Sequence, residues 1–407
     1  MKNIQTNKLF VASCLSLLVT SLSFGIRAGI MGQLGTQFNL NDSGLSTITA
    51  TAFWGFPLAV VIGGFIVDLI GMKRLLVLAF IFHLLGIVLT IFATGYWTLF
   101  FSTLLIGIAN GTVEASCNPL VTALYPDNKT TRLNYFHLWF PGGIVIGSLL
   151  VPLFNYIGLG WQIQVGAMLI PTLIYGYLFS KLDFPVTERV SAGFSTADMY
   201  KGVLTPLFLF MLVCMFGTAI TELYTNQWTG VLFKTVTNNS ILILTFVASV
   251  QVLGRAFAAP IVHRLAPQGV LLASAILSAL GVYLLINLQG DAVFLAAVVF
   301  GLGVAFFWPC MIGFVAENIP KSGALGINLM GGGGMLAVSF YTIVMGHVLD
   351  GHAAKYTASG VAADQAKTQA GFDVLHITQI IPIILIVAFI GLVVYMRSRG
   401  KKAAVAH

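Results

Sequence analysis

Apolar stretches long enough to cross a bilayer recur along the whole chain, and no other property narrows its possible folds so far. A helix needs about 20 apolar residues to span the hydrocarbon. Twelve such runs are legible, at roughly 8–35, 43–70, 74–94, 97–125, 131–157, 161–181, 202–233, 238–264, 269–288, 291–318, 322–349 and 376–396. They must be helices: strands of a membrane barrel alternate polar and apolar residues in short segments, and these runs do not. Charged residues are 8% of the 407 positions, hydrophobic residues are 58%, and the mean hydropathy is +0.95. A soluble surface needs about a quarter of its residues charged. A soluble globular domain, a disordered chain and a nucleic-acid module are therefore excluded. The four cysteines, Cys14, Cys117, Cys214 and Cys310, sit inside apolar runs without metal spacing, so no metal and no cofactor is expected. No HExxH, GxSxG or paired-aspartate motif falls on a span, which argues against an enzyme.

The first run reads as a span and not as a cleaved leader. Val11-Ala12-Ser13-Cys14 resembles a lipoprotein box, but only Leu9 and Phe10 form an apolar region ahead of it. Lysine and arginine then set the orientation. With the N-terminus inside, 16 of the 20 fall on the inner side; Lys234, Lys355 and Lys367 lie outside and Arg27 within a span. Both termini are thus expected in the cytoplasm, and the membrane is read as a bacterial inner membrane. The polar stretch 182–201 reads as a cytoplasmic linker between two six-helix halves, 1–181 and 202–407. Residues 350–375, rich in Ala, Gly, Asp and Lys, read as a mobile outer loop.

The halves repeat each other at an offset of 194 or 195 residues. Gly63-Gly64-Phe65-Ile66-Val67-Asp68 pairs with Ala258-Ala259-Pro260-Ile261-Val262-His263, Gly107 and Pro126 with Gly301 and Pro320, Asn134 with Asn328, and Gln33 with Gln227. Parallel repeats of this kind build transporters whose site lies at the repeat interface near the midplane.

Ionisable residues at bilayer depth are costly and mark function. Arg27 shares a helical face with Ser16, Thr20 and Ser23. Glu222, related to Arg27 by the repeat, shares one with Thr218, Thr225 and Thr229. Glu114 lies on a face with Asn110, Asn118 and Thr122. All three stripes are expected to line a cavity, on the strength of their charged residues; serine and threonine alone would read as helix packing. Glu114 and Glu222 are the candidate proton carriers. Arg27 has two open roles, an ion pair with either carboxylate or a clamp for an anionic substrate. His137 can donate to a sugar hydroxyl or carry a proton, while His83 reads as a packing residue. Trp228 and Trp308 can stack on a pyranose ring, with Trp139 and Phe140 as further candidates. Asn118, Gln227 and Asn328 complete the expected polar lining. Gly331 to Gly334 and Gly142-Gly143 would let their helices loosen and rock.

Gly64-Phe65-Ile66-Val67-Asp68-Leu69-Ile70-Gly71-Met72-Lys73-Arg74 resembles the loop 2–3 signature of the major facilitator superfamily. The resemblance implies an all-α membrane protein, twelve transmembrane helices in two pseudo-twofold halves, working by alternating access as a monomer. It assigns Gly64, Asp68, Gly71 and Arg74 to the inner gate, where Asp68 can pair across the closed end. Leu69 stands where the pattern usually has an arginine. Gly111 to Pro119, with Arg132-Leu133-Asn134, looks like the fourth and fifth helices of the fucose:proton symporter family. That family's glutamate for sugar and proton handling matches Glu114, and Gly254-Arg255 also fits its pattern, placing Arg255 in the gate set. Its helix 1 aspartate falls on Ala28 here, beside Arg27. The implied function is proton-coupled sugar symport; the alternative is a sugar-acid or organic-anion symporter clamping its substrate with Arg27. Sodium in place of the proton stays open.

Overall fold

The structure, a computed structural model, describes residues 4–225, 240–288 and 290–405. Every regular element among them is helical. In chain order these are α1 (Thr6–Phe38), α2 (Asp42–Ile70), α3 (Met72–Ile91), α4 (Tyr96–Leu124), α5 (Lys129–His137), α6 (Trp139–Tyr156), α7 (Trp161–Gly166), α8 (Leu169–Lys181), α9 (Glu188–Ser191) and α10 (Thr196–Val203). There follow α11 (Pro206–Ala219), α12 (Ser240–Ala256), α13 (Ala258–Asn287), α14 (Ala292–Val304), α15 (Phe307–Asn318), α16 (Gly323–Ala358) and α17 (Ala363–Val405). Eleven segments of the described chain are long and apolar enough to cross a membrane. The remaining expected span, 238–264, holds α12.

Proline explains most departures from regular helix, because it strands the carbonyl four residues earlier. Pro141 accompanies the break at Leu138 between α5 and α6, and Pro309 the break at Ala305–Phe306 between α14 and α15. Pro119 stays within α4. Within α13 the backbone turns at Ala266 (φ 56°), just before Pro267, which separates the expected spans 238–264 and 269–288.

Two compact units emerge, Met1–Leu209 with Val315–Gly332, and Phe210–Phe314 with Gly333–His407. In the first, α4 packs on α2 and α3, and α1 on α6 and α8. Gly107 and Gly111 of α4 let backbones meet: a Cβ there would lie 2.6 Å from the Ala52 carbonyl oxygen and 2.2 Å from that of Phe56, both on α2. In the second unit, Gly281 of α13 and Gly303 of α14 do the same against Phe300 and Ser278.

The outer loop expected at 350–375 is instead helical apart from a short turn, with α16 running to Ala358 and α17 starting at Ala363. Alanine, lysine and glutamine favour helix, and the two helices are tied where His352 Nδ1 and the Tyr356 hydroxyl both meet Asp373 Oδ2, at 2.8 and 2.9 Å. The glycines at 331–334 do not open α16 either. They seat neighbours: a Cβ on Gly332 would meet Val61, and one on Gly334 would meet Met215 and Ala219.

Candidate functional site

In the first unit the polar face of α4 carries the chemistry. Glu114, Asn118 and His137 are each 4% exposed or less. Asn118 Nδ2 donates to Glu114 Oε2 at 2.6 Å, which leaves Asn118 Oδ1 as an acceptor. His137 Nε2 lies 2.9 Å from that oxygen and therefore donates to it. The other ring nitrogen, Nδ1, is 3.8 Å from Glu114 Oε1. A neutral imidazole would turn a lone pair on a carboxylate there. One proton, on either group, converts that repulsion into attraction. His137 reaches this place because it ends α5, immediately before the break at Leu138.

One turn earlier, Asn110 begins a second chain. His83 sits between the Tyr175 hydroxyl and Asn110 Oδ1, at 2.7 Å on each side. Asn110 Nδ2 donates to Ser23 Oγ, and Ser23 donates to the Thr20 carbonyl. This wire stitches α3, α8, α4 and α1 together. Ser16, Thr20 and Ser23 all bond to backbone carbonyls of their own helix. Arg27 lies over the Phe24 ring at 5.9 Å, and its Nη1 is buried with no hydrogen-bond partner among the described residues. Phe24 in turn packs on Phe53 and Phe140.

In the second unit a π-helical turn, Ile220–Tyr224, follows α11 and presents Glu222. Such single wide turns often occur at functional sites. Arg255 Nη2 donates to Glu222 Oε1 at 2.9 Å, and Arg255 Nε donates to the Ala305 carbonyl at 2.6 Å. That carbonyl is the one stranded by Pro309. The cation thus serves the carbonyl end of the half-helix α14 as well as the carboxylate. Glu222 Oε2, Gln251 Nε2 and Trp308 Nε1, all in this unit, are buried without partners among the described residues.

A third cluster surrounds Asp68 at the end of α2. Its carboxylate accepts from the Thr187 hydroxyl and from Arg189 Nε, the latter at 2.6 Å. Gly71 caps α2 with φ +87°, a conformation that suits glycine. Arg74 is exposed on α3. Asn328 Nδ2 donates 2.9 Å to the Ala115 carbonyl, the one stranded by Pro119. Gly64 provides the space, since a Cβ on it would lie 2.8 Å from Asn328 Cβ.

Comparison with known proteins decides the family. The model of the Major Facilitator Superfamily matches residues 13–341. The chain belongs to the Major Facilitator Superfamily. Among solved structures it resembles the E. coli fucose:proton symporter FucP (TM-score 0.70, 15% identity, 92% of this chain and 98% of that one). It also resembles the proton:xylose symporter XylE bound to 6-bromo-6-deoxy-D-glucose (TM-score 0.71, 15% identity, 94% and 96%). At that identity the likeness shows the fold. A sequence relative is the facilitated glucose transporter member 10 of solute carrier family 2 from Danio rerio, 27% identical over 164 residues. That match covers 40% of this chain and 32% of the relative, so the chain spans about a third of that protein's length.

Against this superfamily fold the expected site residues sort by place. Glu114, Asn118 and His137 come together. Glu222 pairs with Arg255, so the arginine expected at the gate lies fully buried beside a candidate proton carrier. Trp308 follows the Ala305 carbonyl on which Arg255 docks, and its indole Nε1 is buried without a partner among the described residues. Asn328, expected to line the substrate site, spends its amide on Ala115 beside Gly64. Gln227 and Trp228 lie outside the described residues. Reading by sequence did not find Gln251, the roles of Thr187 and Arg189, or the docked carbonyls of Ala115 and Ala305. For the carbonyls a signal existed: each lies four residues before a proline. His83, expected as a packing residue, is the centre of the chain that joins Tyr175 to Asn110.

Proposed function

We propose that this chain is a proton-coupled sugar symporter working by alternating access between two six-helix halves, 1–181 and 202–407, joined by the linker 182–201. In this reading both termini are cytoplasmic, the protein sits as a monomer in a bacterial inner membrane, and the Asp68 end is the inner end. The observation that carries the reading is the Glu114–Asn118–His137 set, which holds an imidazole nitrogen 3.8 Å from a buried carboxylate, close enough for the two groups to share a proton. A proton held there makes the site neutral, and its loss leaves a buried anion. That is the difference a proton-driven cycle requires.

The sugar reading is supported by the buried donors and acceptors without partners. Trp308 Nε1 and Gln251 Nε2 are donors and Glu222 Oε2 is an acceptor, the complement of sugar hydroxyls. The solved neighbours named above are described as fucose and xylose symporters. Glu222, held by Arg255, is the second candidate proton site.

A thermal-shift panel on the detergent-purified full chain tests this. D-glucose, D-xylose, L-fucose and N-acetylglucosamine stand beside glucuronate and acetate. A sugar at 100 times its dissociation constant adds about 2.7 kcal/mol of apparent stability. The expected result is a shift with at least one neutral sugar. Shifts with the acids alone would overturn the reading.

A further inference from the structure

The sequence pattern of the loop 2–3 signature leaves Asp68 without its usual following arginine, since Leu69 stands there and is 77% exposed. Yet the Asp68 side chain is buried, only 3% exposed. A buried carboxylate is costly unless paired. Its partners come from the linker. Arg189 donates through Nε at 2.6 Å, and Thr187 donates through its hydroxyl. Arg189 is fixed in turn, because its Nη1 donates to the Phe194 carbonyl at 2.9 Å and its stem lies on Gly323, where a Cβ would come 3.1 Å from Arg189 Cβ. Gly323 has φ +55°, so that position resists any other residue.

The rest of the linker is pinned as well. Lys73 Nζ donates to the Leu182 carbonyl at 2.8 Å, and Lys129 Nζ meets Glu188 Oε2 at 2.8 Å. Lys129 also reaches the Ala316 carbonyl, and the next residue, Thr130, donates both its amide and its hydroxyl to Glu317 Oε1. Just past the linker, Gly202 closes on Ser322, where a Cβ would lie 2.7 Å from the Ser322 amide nitrogen. The linker therefore grips the end of α2, the start of α5 and the start of α16, all within one compact unit.

We infer that the linker is a working part of the inner gate, with Arg189 supplying the guanidinium that position 69 lacks, so that the Asp68–Arg189 pair latches this end shut. Opening this end requires α9 to leave Asp68. The inference rests on reading the Asp68 end as the inner end of a transporter, but not on the identity of its substrate or ion.

The test needs neither sugar nor proton gradient. Thr122 is 1% exposed and lines a small cavity with Thr187, Glu188, Gly323 and Ile327. A Thr122→Cys chain, in a background with the four native cysteines replaced, reports access by its rate of labelling with N-ethylmaleimide. Asp68→Asn and Arg189→Gln should each raise that rate by about tenfold or more, the scale of losing a buried pair. The double variant should label no faster than either single one, because both remove the same latch. Thr187→Val, a milder change, should raise the rate by a smaller factor. Unchanged rates in the single variants overturn the inference. So do independent, multiplicative effects in the double variant. Matching elution profiles and melting temperatures across the set separate latch release from unfolding. A chain that binds only acids, or moves no protons, would defeat the proposed function and leave this result standing.

Discussion

Proline removes an amide, and in two spans the carbonyl it strands becomes a docking point for a side chain. Pro119 frees Ala115, which accepts from Asn328 Nδ2 at 2.9 Å, and Pro309 frees Ala305, which accepts from Arg255 Nε at 2.6 Å. Each pairing can be tested by restoring the helix. Asn328→Leu should destabilise the chain by about 1–3 kcal/mol, since it leaves a buried carbonyl unsatisfied. Adding Pro119→Ala returns an amide to that carbonyl, and denaturation in detergent should recover most of the loss; no recovery would show that Asn328 acts elsewhere. Arg255 carries more, because it also holds Glu222. Arg255→Met should cost about 3–5 kcal/mol by stranding a buried carboxylate, and Glu222→Gln in that background should regain part of it. The sequence displayed both prolines and both polar residues, and their depth was legible from the spans. Their pairing was not, because no local rule links Asn328 to residue 115 or Arg255 to residue 305. Glu114, Asn118 and His137 were more readable, since two share a helical face and the third precedes a proline break.

Among the elements, α2 and α4 show how close packing makes room for function. Gly107 and Gly111 bring their backbones together, and Gly64 admits Asn328. Gly64→Ala should therefore cost about 1–3 kcal/mol through overpacking, read as a lower melting temperature, whereas Gly32→Ala faces open space and should be nearly silent. The linker helix α10 shows a different control. Ser195 and Asp198 form a capping box, and the two hydrogen bonds from Ser195 hold the Asp198 carboxyl below its usual range. A depressed carboxyl stabilises above its unfolded value and loses that contribution as pH falls through its folded value. Protection of the amides in the first turn of α10, taken relative to the intrinsic exchange rate at each pH, should accordingly fall under acid conditions, and Asp198→Asn should remove that pH dependence. The elements themselves were largely legible as apolar runs. The stretch 350–375 was not, because its helices carry little apolar signal and are held by contacts such as His352 with Asp373.

At the scale of the whole molecule, the helical class and the family follow from hydropathy and the loop 2–3 signature. The compact units add what a repeat cannot display: Val315–Gly332 belongs with Met1–Leu209, tied there by Glu317 on Thr130 and Asn328 on Ala115. Those ties join residues 187 and 213 positions apart, so no local pattern in the sequence records them. The central claim, that sugar and proton move together, concerns the molecule as a machine and is best tested on it directly. Proteoliposomes holding the full chain, in lightly buffered medium, would be given the neutral sugar that shifts its melting temperature, with D-xylose and L-fucose as the first trials. The account predicts that the sugar makes the outside medium more alkaline as protons enter with it. It predicts that Glu114→Gln abolishes this response while sugar exchange continues. Sugar uptake with no change in external pH, or a full proton signal from Glu114→Gln, would contradict it.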